Sequence, residues 1–206
     1  EHRAVLAIRE RVLSPEHPGT LSSRNNLANA LNDQGKYAEA EAEHRALLAI
    51  SERVLGPEHP DTLKSRNNLA NALYSQGKYA EAEAEYRAVL AIQEPILGSE
   101  HPDTLSSRNN LASTLASQGK YAEAEAEHRA VLTLFERVLG PDHPDTLSSR
   151  NNLALALYSQ GKYTEAEAEH RAVLTLFQRV LSPEHPDTLS SRNNLASALD
   201  AQGTHA

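Results

Sequence analysis

The sequence contains no cysteine, no methionine and no tryptophan. Without cysteine there is neither a disulfide framework nor a thiolate metal site, and the redox compartment stays open. No apolar run approaches the roughly eighteen residues that a membrane span needs, and no signal-like stretch opens the chain, so it reads as soluble and without a membrane partner. Basic residues are in short supply: 20 Lys and Arg against 28 Asp and Glu leave a formal charge of −8. That balance excludes the basic stripe of a nucleic-acid footprint. The missing initiator methionine, in a chain that opens in mid-repeat, predicts an excerpt of a longer protein.

What is there is a repeat. The string Asn-Asn-Leu-Ala begins at Asn25, Asn67, Asn109, Asn151 and Asn193, always 42 residues apart. Four full units, 19–60, 61–102, 103–144 and 145–186, are flanked by half-units 1–18 and 187–206. A unit of that size is too small to bury its own apolar face and must stack on its neighbours, so residues 1–206 are expected to form a single array.

Within the first unit, Leu21, Arg24, Leu27, Ala28 and Leu31 fall at spacings of three and four, which predicts a helix, called A, of about four turns. Pro-Asp pairs precede the later copies, and Asp61, Asp103, Asp145 and Asp187 are expected to cap them. Gly35 and its equivalents stop helix A in a left-handed conformation. Lys36-Tyr37 opens helix B, with Tyr37, Ala40, His44, Leu47 and Leu48 along one stripe, and the short turn makes A and B an antiparallel hairpin. Pro95 predicts a kink in the second full unit's B helix. Ten helices in alternating B and A order, no strands, and burial of Leu69, Ala70, Leu73, Tyr79, Ala82, Val89 and Leu90 are expected.

Leu-Ala in helix A, Gly-x-Tyr at the turn and Ala three residues later resemble the tetratricopeptide repeat. The 42-residue period, with the strings NNLA, QGKY, EAE and GPEHPDT, resembles the kinesin-light-chain type. The resemblance implies an all-α solenoid of antiparallel helix pairs in a right-handed superhelix, A helices lining its concave face. His2, His44, His128 and His170 stand where that family usually has Tyr or Phe, and are expected to be core residues of lowered pKa.

No unique nucleophile, base and orienting acid stand out, because nearly every polar residue recurs; no catalytic residue, cofactor or metal is assigned. The histidines of His-Pro-Asp recur once per unit and do not converge as metal ligands must, so a connector role is expected. The run Glu39, Glu41, Glu43 reads as a solvated outer face. Arg66, Arg108 and Arg150, beside the apolar stripe, each require a carboxylate, best supplied by a neighbouring B helix.

Counting about 100° per residue, the face of helix A opposite its apolar stripe carries a row of Asn26, Asn68, Asn110, Asn152 and Asn194. An amide donates and accepts, so the row suits the backbone of an extended peptide; bridging between helices is the competing role. Asn29, Asn71, Tyr74, Leu155 and Tyr158 are placed to set specificity, and Lys64 is the one cation. Units three and four agree at 35 of 42 positions, and three differences, Ser113 to Leu155, Thr114 to Ala156 and Ala116 to Tyr158, lie in helix A. The expected function is a cytoplasmic, non-catalytic scaffold that holds a protein or peptide partner in the concave groove. The alternative is a spacer or sensor arm of a larger nucleotide-binding switch regulator. The uncapped ends, Val5, Leu6 and Val12 at one and Leu189, Leu195, Ala196 and Leu199 at the other, predict head-to-tail self-association.

Overall fold

A computed structural model describes residues 1–205. The described residues hold ten α-helices and no strand. The chain divides into two compact units, Glu1–Ile92 and one from Gln93 onward. The first contains α1 (His2–Leu13), α2 (Pro18–Asp33), α3 (Tyr37–Leu55), α4 (Pro60–Ser75) and most of α5 (Tyr79–Leu97). The second contains α6 (Pro102–Ser117), α7 (Tyr121–Val138), α8 (Pro144–Ser159), α9 (Tyr163–Val180) and α10 (Pro186–His205). Even-numbered helices are the A helices and odd-numbered ones the B helices. Helix α5 runs through Pro95 as one element; the proline falls in its last turn, where little helix remains to be deflected.

Each A helix starts with proline at its first position, where a missing N–H costs nothing. That proline moves the cap. The capping residue is the histidine before it and not the expected aspartate: Asp61 N–H donates to His59 Nδ1 at 3.1 Å, and Asp103 N–H to His101 Nδ1 at 3.2 Å. The aspartates lie one step inside, where their charge meets the positive end of the helix dipole. The His-Pro-Asp histidines are therefore connector residues, and Nδ1 must be unprotonated to accept. Gly35, Gly77, Gly119 and Gly161 end the A helices at φ between 74° and 79°. Lys36 N–H then reaches back to Leu31 O at 2.9 Å, closing the helix end.

In the first unit α2 packs between α1 and α3, in the second α8 packs between α7 and α9, and successive A helices, α2 with α4 and α6 with α8, also touch. Ala40, Ala82, Ala124 and Ala166 are fully buried, so the helix backbones approach closely where they lie. The expected core is present in Leu69, Ala70, Leu73, Ala82, Val89 and Leu90. Tyr79 is only half-buried because it tilts onto the Tyr74 ring at the A–B turn, centroids 5.3 Å apart. Leu6, expected among the open end residues, is buried with Leu27, Leu31 and Ala40.

Candidate functional site

The polar face of the A helices is partly used up by the protein itself. In the first unit Asn26 and Asn29 are exposed. Asn68 Nδ2 donates to Asn25 Oδ1 of the preceding A helix at 2.7 Å, and Asn71 Oδ1 accepts from the Tyr86 hydroxyl at 2.5 Å. Lys64 and Tyr74 are exposed. In the second unit Asn110, Asn152 and Asn194 are half-buried, and Asn194 Nδ2 donates to Asn151 Oδ1 at 3.2 Å. Leu155 is exposed, whereas Tyr158 leans on the core cluster of Leu132, Leu153, Leu157 and Ala166. So Asn68 and Asn194 each spend one amide hydrogen on bridging helices.

Between successive A helices the same clefts recur. In the first unit a cavity of about 330 Å³ is lined by Ser22, Asn25, Asn26 and Lys64 on the polar side and by Leu21, Leu47, Ser51 and Val54 below. In the second, Ser148, Asn151, Asn152, Phe177 and Ser190 line one of about 250 Å³. The linings match by repeat phase, with two changes of consequence: Ser51 stands where Phe177 stands 126 residues later, and Lys64 where Ser190 does. The missing ring leaves the first cleft larger. Comparing copies by phase, and not only by helix face, would have flagged Ser51.

Two charged networks hold the repeats in register. Arg66 lies between Glu52 of the preceding B helix and Glu85 of its own, the latter at 3.1 Å. Arg150 repeats this with Glu136 and Glu169, and Arg108 meets Glu127 at 2.5 Å. These guanidinium groups meet B-helix carboxylates as expected. The outer glutamates are not all solvated. Glu41 keeps only 12% of its side-chain exposure because Arg45, Lys78 and Gln76 close round it, Lys78 Nζ at 2.7 Å. The hydrogen bond from Lys78 is the main reason its pKa falls to about 2, and Glu125 with Lys162 behaves alike. Gln76 and Lys78 lie 35 and 37 residues away, so the joint links one repeat to the next.

His44, His128 and His170 are 1% exposed and replace Tyr86 in the core, whereas His2, first residue of α1, is exposed. Burial lowers the pKa of His44 and His128 to about 4, and lowers that of His170. Their bonding differs although their neighbours in sequence do not. His128 Nδ1 meets Asn109 Oδ1 at 3.2 Å. The equivalent oxygens of Asn25 and Asn151 take the amides of Asn68 and Asn194, and Nδ1 of His44 and of His170 is left without a partner.

Stacked helical hairpins, with polar clefts between A helices and no group of three or more metal-ligating His, Asp or Glu among the described residues, define a repeat scaffold. The tetratricopeptide repeat family matches residues 1–42, 22–94, 66–126, 103–168 and 150–206, and the chain belongs to it. Among solved structures it is similar to a putative kinesin light chain with nearly identical TPR-like repeats from Podosopora anserina. That match is 34% identical over 91% of this chain and 89% of the other, with a TM-score of 0.76; a second structure, of a variant of the same protein, gives 0.77. BtubC (BKLC) from P. vanneervenii shares the fold at 21% identity and a TM-score of 0.77, over 98% of this chain and 80% of that one. No curated protein matches the sequence. The repeats are thus kinesin-light-chain-like, of a fold typical of protein–protein interaction and in general non-catalytic. No helix among the described residues is long and apolar enough to cross a membrane.

Proposed function

We propose that the chain is a cytoplasmic, non-catalytic interaction scaffold whose stacked A helices line the concave face of a right-handed superhelix and hold an extended peptide segment there. The observation that supports this best is the recurrence of one cleft at one repeat phase, with Asn26 in the first and Asn152 in the second. A peptide lying along the A helices of a unit meets an amide at each step, which serves its backbone whatever its sequence. Asn29, Asn71, Tyr74, Leu155 and Tyr158 then select side chains, with Lys64 supplying the one positive charge. Because Asn68 and Asn194 also bridge helices, Asn26 and Asn152 are the members to test.

The experiment is selection of displayed random peptides on the chain, followed by affinity measurement on the Asn26→Ala, Asn152→Ala double variant. We expect affinity to fall by about fivefold, the value of a lost backbone hydrogen bond, in whichever unit the peptide occupies. Undiminished affinity would show that the A-helix face is not the binding surface.

A further inference from the structure

A second, smaller cavity in the first unit is unlike the clefts above. It holds about 130 Å³, room for roughly four waters, and is lined by Asn29, Asn32, Asp33, His44, Asn68 and Asn71, with Ala72 the one apolar wall. It exists because the repeat is broken there: Asn32-Asp33 stand where later units have Tyr74-Ser75, Ala116-Ser117 and Tyr158-Ser159.

Its unpaired atoms are acceptors. The oxygen Asn32 Oδ1 is buried with no partner, and His44, 1% exposed, brings an unpartnered Nδ1 to the lining. Burial keeps that imidazole neutral, so Nδ1 can offer its lone pair. Asp33 adds a carboxylate, and it lies at the last residue of α2, where the helix dipole is negative. No cation in the lining answers it: the nearby Arg24 is held by Glu10 and Glu43, and Lys36 by Gln34. Asn71 has already given its oxygen to Tyr86. An anion is disfavoured by this charge, and a transition metal would find only one carboxylate, Asp33, and one imidazole, His44, short of a group of three such ligands.

We propose that this cavity is a specificity pocket for the guanidinium of an arginine side chain on the bound peptide. It rests on the peptide reading above and names one residue that the peptide contains. Three acceptors set round the pocket call for a planar group with several donors, which favours guanidinium over ammonium.

The test has two arms. In the first, methylguanidinium chloride is titrated against sodium chloride as control, following the His44 ring and the Asn32 and Asn71 side-chain amides by NMR. A saturable shift is expected at His44 but not at His170, which has Tyr158 and Ser159 in place of the Asn-Asp pair. Asn32→Tyr and Asp33→Ser, both residues the other repeats carry at these positions, should weaken the binding by about tenfold or more. In the second arm, peptides selected on the chain are sequenced; arginine should be enriched at one position, and the enrichment lost on the Asn32→Tyr variant. Peptides that bind the A-helix face without arginine enrichment would overturn the pocket and leave the groove standing. Methylguanidinium binding at His44 with no peptide selected would support the pocket and count against the groove. The absence of any saturable shift, or an equal one in both variants, would show a pocket that holds only water.

Discussion

Replacing His128 by phenylalanine should make the acid dependence of stability shallower, leaving the share of His44 and His170, and the size of the effect follows from its surroundings. The ring is 1% exposed, and burial holds its pKa at about 4 against an ordinary 6.5, the neighbouring Glu127 opposing only in part. A base with a lowered folded-state pKa binds fewer protons folded than unfolded between those two values. The stabilising effect of keeping it neutral is complete above about pH 6.5, is lost as the pH falls, and stops changing below about pH 4. Over the whole window this is about 3 kcal/mol, of which about 2 kcal/mol has gone by about pH 5. The carboxylates do not interfere: Glu41 and Glu125 have folded values near 2, so their contribution is present above about 4.5 and disappears only between there and about 2. Urea unfolding followed by circular dichroism at several pH values would measure the slope for parent and variant. His128→Phe loses the bond to Asn109 at every pH, which lowers the baseline but not the slope. A variant whose stability falls as steeply as the parent's between about pH 7 and about pH 5 would refute the reasoning.

Truncating Leu111, 6% exposed in the middle of α6, to alanine should cost about 2 to 5 kcal/mol in the same assay, since the helices on either side cannot close the gap. Ser14 holds φ 100° and ψ 157° at the end of α1, a region that suits glycine, and Gly56, Gly98 and Gly140 occupy its phase in later repeats. Ser14→Gly should therefore stabilise the α1 junction by about 1 kcal/mol, read as slower amide exchange in α1. Val5, Ile8 and Val12 on α1 and Leu189 and Leu199 on α10 are exposed, with Val12 at 66% and Leu189 at 44%. In residues 1–206 taken by themselves the face of α10 is of the kind that a B helix covers elsewhere, so we propose that sedimentation of this stretch will show concentration-dependent self-association that Leu195→Glu abolishes; strict monomers at high concentration would show otherwise.

Helix positions, the A–B turns and most of the core were legible in the chain itself, because they depend on contacts within a few residues: spacings of three and four, a glycine that alone tolerates positive φ, a proline that cannot continue a helix. The charged clamps on Arg66 and Arg150 were legible too, because a guanidinium beside an apolar stripe has to be paired. Where the local signal was ambiguous the structure decided. His59 and Asp61 are both plausible caps, and Pro60, rigid at the first helical position, settles the choice in favour of histidine. Glu41 looks like any exposed helix residue until Gln76 and Lys78, more than thirty residues on, fold down upon it. The same limit governs the candidate sites. Asn25, Asn109 and Asn151 lie in one repeated string, yet only Asn109 bonds its histidine, because in the other two the amide of the next A helix arrives first. Identical sequence thus produces identical helices, while the partner of each buried polar atom was set by which neighbouring repeat reached it, and that is decided only when the repeats are stacked.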